Sequence, residues 1–162
     1  FKRLCLGFAS LRVRRLLPVK TASMGITYAD IELIRSDDLA LFDEGYIQED
    51  QIRRYIVRAL VDSGASMLTI PESIKNQLRL RKLDDQQAEL ADGSIINVEV
   101  VGPVEIRFEN RMAIVSALVI PGEAEVLLGA IPMQAMDVLI DPKQERLIVN
   151  PKSPDTARML LK

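Results

Sequence analysis

The sequence has 162 residues, 48% of them hydrophobic, and a formal net charge of -2, which suits one domain with a core that needs no covalent staples. It contains no histidine and a single cysteine, Cys5, which excludes an intrachain disulfide framework, multi-cysteine or His-ligated zinc, and any nucleophilic system that relies on imidazole. Chemistry near neutral pH then falls to carboxylates, Lys or Tyr, with Asp and Glu foremost, and the cysteine usage suits a reducing, cytoplasmic compartment.

Residues 1–23 (FKRLCLGFASLRVRRLLPVKTAS) carry six Lys/Arg and no acid. Three readings compete for them: a leader, given the apolar Leu4-Cys5-Leu6-Gly7-Phe8-Ala9 after Lys2-Arg3; a basic arm; or upstream sequence read through in translation, with Met24 the natural start. The last is preferred, because Arg12, Arg14 and Arg15 interrupt the apolar run and no clear cleavage site follows, so residues 1–23 are left outside the fold. What remains, 24–162, holds 15 basic against 23 acidic residues, a net charge of -8. So acidic a body argues against a nucleic-acid partner. No apolar run nears the length of a membrane span, so no membrane partner is expected either.

Ile26 to Ile34 alternates apolar and polar residues and predicts a strand with Asp30 and Glu32 on one face. Two carboxylates at that spacing could be set beside a glycosidase pair, but the solvated face of a strand is the preferred account. Asp37-Asp38 are expected to cap a short helical or looped insertion through Leu39-Ala40-Leu41-Phe42 that closes near Gly45. Arg53 to Val61 predicts a second strand, which runs into Asp62-Ser63-Gly64-Ala65; apolar residues resume at Met67-Leu68-Thr69-Ile70. A strand, a tight turn and a second short strand place one carboxylate at a strand end. Gly64 permits a sharp turn and close approach, and the Ser63 hydroxyl can hydrogen-bond beside the carboxylate. Asp-Ser-Gly is also ordinary turn chemistry, so the tripeptide alone decides nothing.

Pro71 to Leu78 predicts a short amphipathic helix, with Pro at its start and Ile74 and Leu78 four apart. Gln87–Leu90 and Ser94–Val101 bracket Ala91-Asp92-Gly93 and predict a β-hairpin with its tip at Asp92-Gly93. Gly102-Pro103 punctuates, Val104–Phe108 continues, and Glu109-Asn110-Arg111 turns into a strand from Met112 to Ile120. After the Pro121-Gly122-Glu123 loop come the apolar run Glu125–Ala130, stopped by Gly129, and a short helix Ile131–Met136 whose methionines are expected to fill core space. Val138–Ile140 and Arg146–Val149 form a terminal hairpin, followed by a polar tail expected to be loose over 152–162. Short strands with frequent turns are the pattern of an antiparallel barrel or sandwich, mainly all-β with one or two short helices.

Four features therefore stand in order: the strand into Asp62-Ser63-Gly64-Ala65, a short helix, the Ala91-Asp92-Gly93 hairpin, and Val126-Leu127-Leu128-Gly129 before a helix. In this order and spacing the chain, from about Ile26 to Pro151, resembles the retropepsin-like aspartic proteases, specifically the small single-domain bacterial clan AA group. The resemblance implies a closed acid-protease barrel over 24–151, with Asp62 the catalytic aspartate and Ser63, Gly64 and Ala65 supporting its loop. It further implies that Asp92 and Gly93 tip a substrate-covering flap, and that Leu127, Leu128 and Gly129 form the motif packed beneath the active-site loop. Ser63 stands where the family more often has Thr, and the flap tip has only one glycine.

The activity so implied is endopeptidase cleavage by water, with no cofactor and no metal. Two carboxylates about 3 Å apart share one proton, so one acts as base and the other as acid. This chain has one Asp-Ser/Thr-Gly, so the second Asp62 is expected from another copy, in a symmetric homodimer acting on a peptide or protein substrate. The alternative weighed beside it is a retropepsin-like dimerisation or protein-binding module with little or no catalysis, since fold does not guarantee activity.

Overall fold

The computed structural model describes residues 25–161, so the expectation for 1–23 lies outside the described residues. The strands in chain order are β1 (Thr27–Arg35), β2 (Arg54–Val61), β3 (Leu68–Pro71), β4 (Arg81–Glu89), β5 (Ile95–Phe108), β6 (Arg111–Ile120), β7 (Leu127–Leu128), β8 (Val138–Asp141) and β9 (Arg146–Val149). Three α-helices interrupt them, α1 (Ser36–Asp43), α2 (Glu72–Leu78) and α3 (Ala130–Met136), with a 3-10 turn at Glu49–Gln51. That is one helix more than the upper expectation of two.

Six strands close into a ring in the order β1-β2-β7-β3-β6-β5, because β5 pairs back onto β1, and β4 joins the edge of β5. The barrel read from the sequence is therefore present, although its pairing is mixed: β2 with β7 and β3 with β6 run parallel, the others antiparallel. Alternation explains the core. Ala29, Ile31 and Leu33 of β1 face inward and are buried, while Asp30 is exposed and Glu32 half-buried on the other face. Ile31, Leu33, Leu68, Ile70, Val101, Val104, Ile106 and Leu128 pack there with Met136 of α3, each essentially without solvent contact. Met133 and Met136 fill core space as expected.

β5 is one long strand where the sequence suggested a break. Its first part pairs with β4 as a hairpin arm, its last part pairs with β1 as a barrel wall, and β6 accompanies both. Between Val101 and Val104 the register against β6 slips by one residue, at Gly102-Pro103. Pro103 has no N–H to give the ladder, and Gly102 takes φ +145 with Ser116 and Val115 backbone close behind it.

Asp37 and Asp38 correct the capping expectation. The residue at the α1 N-cap is Arg35, and no side chain caps the helix. Asp38 is instead buried, 1% exposed, accepting from the Arg35 guanidinium, from the Arg53 N–H at 2.9 Å and from Arg53 Nη1 at 3.1 Å. It thus ties together the end of β1 and the start of β2. Burial pushes this carboxyl up, but the Arg53 N–H and the two guanidinium groups outweigh it and hold it below the ordinary range. Asp37 accepts from Arg81 Nε at 2.8 Å, joining α1 to the root of β4.

The tail also departs from expectation. Asp137, left-handed at φ 55 after α3, accepts from Asn150 Nδ2 at 2.9 Å, Ser153 Oγ at 2.5 Å and the Arg158 N–H at 3.0 Å. Asn110 Nδ2 donates to the Pro154 carbonyl at 2.9 Å, and the buried Arg111 donates to that of Ser153. The segment is anchored through Arg158, with Ser153 buried, although Pro154, Asp155 and Thr156 within it are exposed, and Met159–Leu161 beyond it stand largely in solvent. No helix among the described residues is long and apolar enough to cross a membrane.

Candidate active site

β2 delivers Asp62. Its inward residues Val57, Ala59 and Val61 fix the strand against the core, and the strand ends at Val61 between β1 and β7. Alternation then puts Asp62 on the outward side with Leu60, Arg58 and Ile56. The Asp62 N–H donates to the Leu128 carbonyl at 3.0 Å, which continues the β2–β7 ladder one residue past the strand. The chain reverses at once: the Ala65 N–H donates to the Asp62 carbonyl at 3.1 Å, and the Gly64 N–H donates to Asp62 Oδ1 at 2.9 Å. The carboxylate is thereby oriented by its own loop while remaining half-exposed.

The loop is held from behind by β7 and α3. The first amides of a helix have no partner within it, and here they find carbonyls of the Asp62 loop. Ala130 N–H donates to Ala65 O at 2.8 Å, and Ile131 N–H to Ser66 O at 2.9 Å. Gly129 makes that approach possible. A Cβ placed on it would lie 2.5 Å from Met67 O, 2.7 Å from Ser66 C and 2.8 Å from Ala65 O, all backbone atoms. Its φ of -89 is available to any residue, so the requirement for glycine here is one of space and not of conformation. Leu128 beside it is fully buried, and Leu127 is half-buried on the outward side.

Ser63 and Gly64 form the exposed crest of the turn. The Ser63 hydroxyl has no hydrogen-bond partner among the described residues, so the bond expected beside the carboxylate comes from the Gly64 amide instead.

The β4–β5 hairpin has its tip where the sequence placed it. Gly93 takes φ +87 and donates to Leu90 O at 2.9 Å; Ser94 donates to Asp92 Oδ1 through its N–H at 2.9 Å and its hydroxyl at 2.6 Å. These two Ser94 bonds, side chain first, hold the Asp92 carboxyl below its ordinary value. Nearly the whole of β4 is exposed, so the hairpin projects from the barrel.

Between hairpin and barrel runs a cleft of about 370 Å³ lined by Ala88, Glu89 and Leu90 on one side and Thr69, Leu118, Ile120, Ala124, Glu125 and Leu127 on the other. Of this lining the sequence singled out Leu127, as part of the motif beneath the loop, and did not point to the cleft. Leu60, Leu127, Thr69 and Leu118 stand side by side across β2, β7, β3 and β6, on the side that carries Asp62. Tyr28, the register partner of Leu60 on β1, donates its hydroxyl to Glu125 Oε1 at 3.0 Å. One signal was legible in principle: Leu60 precedes Asp62 by two, so both face the same way. Among the described residues no three His, Cys, Asp or Glu side chains are grouped to hold a metal ion.

The model of one family, described as aspartyl protease, matches residues 51–130, which run from just before β2 through the Asp62 loop and the hairpin to the Gly129 seat. No curated protein matches the chain.

Proposed function

We propose, from a chain that over residues 51–130 belongs to the aspartyl protease family in its retropepsin-like form, that the protein is an aspartic endopeptidase completed by a second copy of itself. The observation that carries this reading is the seating of Asp62: a half-exposed carboxylate at a strand end, oriented by the Gly64 amide and backed by Gly129. One carboxylate cannot be acid and base at once, and the sequence offers one such loop. Two copies related by a two-fold axis supply the pair. The ionised Asp62 takes a proton from water as its oxygen attacks the peptide carbonyl, and the protonated one gives its proton to the carbonyl oxygen. Collapse of the resulting gem-diol breaks the C–N bond and returns the proton to the leaving amine. Apparent pKa values for this chemistry belong to the pair.

The exposed β4–β5 hairpin, with Asp92 and Gly93 at its tip, is read as the flap over an extended peptide. Ser63, Gly64 and Ala65 carry the loop, and Leu127, Leu128 and Gly129 support it. A reducing, cytoplasmic setting accords with the single cysteine. The test is Asp62→Asn in the full chain. Cleavage of a diverse peptide mixture should fall by roughly 10²–10⁴-fold while circular dichroism and solution mass stay those of the wild-type dimer. Equal cleavage by the variant would remove Asp62 from the chemistry. A wild-type dimer that cleaves nothing would leave the protein a binding module.

A further inference from the structure

The cleft between hairpin and barrel has a chemical character beyond its position. Its walls are apolar, with Leu90 of the hairpin facing Leu118 and Leu127 across it, while two carboxylates, Glu89 on the hairpin side and Glu125 on the barrel side, stand in its lining. Both acids are solvent-exposed. Among the described residues neither has a cation within salt-bridge distance. Glu125 is nonetheless held in place, since Tyr28 donates its hydroxyl to Oε1 at 3.0 Å, leaving Oε2 to accept elsewhere. The nearby Arg58 guanidinium lies over the face of the Tyr28 ring, 4.6 Å from its centre, and so engages the ring rather than the carboxylate. Leu127 itself is one residue from Leu128, whose carbonyl receives the Asp62 N–H.

An apolar trough with two carboxylates in its lining, one of them held by Tyr28, matches a side chain with a long aliphatic stem and a cationic head. We propose that this cleft receives a lysine or arginine side chain of the peptide, its stem against Leu90, Leu118 and Leu127 and its head at Glu89 and Glu125. The proposal rests on the peptidase reading above, because it takes the occupant to be substrate. The volume of about 370 Å³ lies within the range of small-ligand clefts. The same two acids disfavour a glutamate or aspartate side chain by like-charge repulsion.

The experiment uses the full chain and a peptide set in which each position in turn carries Lys, Arg, norleucine or Glu. Norleucine keeps the aliphatic stem of lysine and lacks its charge. Cleavage is followed with wild-type protein and binding by fluorescence anisotropy with Asp62→Asn, so that occupancy is read whether or not the bond breaks. At one position Lys or Arg should be preferred over norleucine by roughly fivefold, the size of one exposed ion pair, with Glu poorest. The double variant Glu89→Gln, Glu125→Gln should bring Lys and norleucine level, and the amide so introduced on the barrel side keeps an oxygen for Tyr28. No cationic preference at any position, a preference that survives the double variant, or no peptide binding at all overturns the proposal. Binding preference without cleavage upholds it and overturns the peptidase reading instead; cleavage without the preference does the reverse.

Discussion

Gly129 lies so close to Met67 that a methyl group on its α-carbon would stand 2.5 Å from the Met67 carbonyl oxygen. The obstacle is backbone, which does not swing aside as a side-chain end would. Gly129→Ala should therefore push the Asp62 loop off its support, costing about 1–3 kcal/mol of stability as overpacking does and lowering cleavage beyond what the loss of folded protein explains. Urea melts and cleavage rates on the same preparation check this. A variant as stable and active as wild type would mean that the loop does not rest on Gly129.

If each active unit needs Asp62 from both copies, mixing is informative. Wild-type and Asp62→Asn chains, unfolded together in equal amounts and refolded, should retain on the order of one quarter of the wild-type activity, because only pairs with two intact carboxylates cleave. Activity near one half would indicate that each chain works alone.

Asp38 should matter for folding and not for chemistry. Asp38→Ala removes the acceptor shared by Arg35 and the Arg53 backbone and side chain, and an expected cost of about 2–3 kcal/mol follows from losing charged hydrogen bonds at a buried site. Chemical denaturation at neutral pH measures it. The wild-type carboxyl is depressed, so its contribution is complete above the unfolded carboxylate range near pH ~4 and is lost as pH falls through the lower folded value. The stability gap between wild type and Asp38→Ala should accordingly narrow in acid.

The tail anchor has its own acid window. The Ser153 hydroxyl, the Asn150 amide and the Arg158 N–H hold the Asp137 carboxyl down to about 2. Its contribution is therefore intact above pH ~4 and fades as pH falls toward 2, because the unfolded group protonates first. Carboxyl chemical shifts followed by NMR should show Asp137 titrating at about 2. Asp137→Asn should lower the exchange protection of the Arg158 amide at neutral pH. Unchanged protection would mean that the tail is held by Arg111 and Asn110 alone.

What the sequence made legible was local. The Asp92-Gly93 tip, the α2 helix and the strand into Asp62 each carry their signal within a few residues: a positive-φ glycine, an apolar spacing of four, an alternation. β4 shows the limit. From Arg81 to Gln86 it is exposed on both faces and, apart from Leu83, polar, so no alternation marks it, and the expected arm began only at Gln87. Asp38 shows another, since an acid in the first turn of a helix reads as a cap, whereas its partners are an arginine fifteen residues on and one just before the helix. The seating of Gly129 under Ala65–Met67 and the cleft formed from Thr69, Glu89, Leu118 and Glu125 join segments far apart in the chain. Residue patterns in any one of them do not encode the meeting; the resemblance supplied the first and nothing supplied the second.

The slip at Gly102-Pro103 decides where this chain can change length. Before it, Val101 faces the barrel core with Ala117 while Val98 and Val100 lie outside the core cluster; after it, Val104 and Ile106 face inward, three and five residues on. Odd-numbered Val101 before the slip and even-numbered Val104 and Ile106 after it thus face the same core. Removing a single residue there would turn one arm of the strand over, taking Val101 or Val104 and Ile106 off the core face, and in the second case driving Glu105 toward it. Extra residues between Leu90 and Ser94, by contrast, alter no such parity. Natural variation in the length of this hairpin should accumulate at its outer bend and be absent from its root.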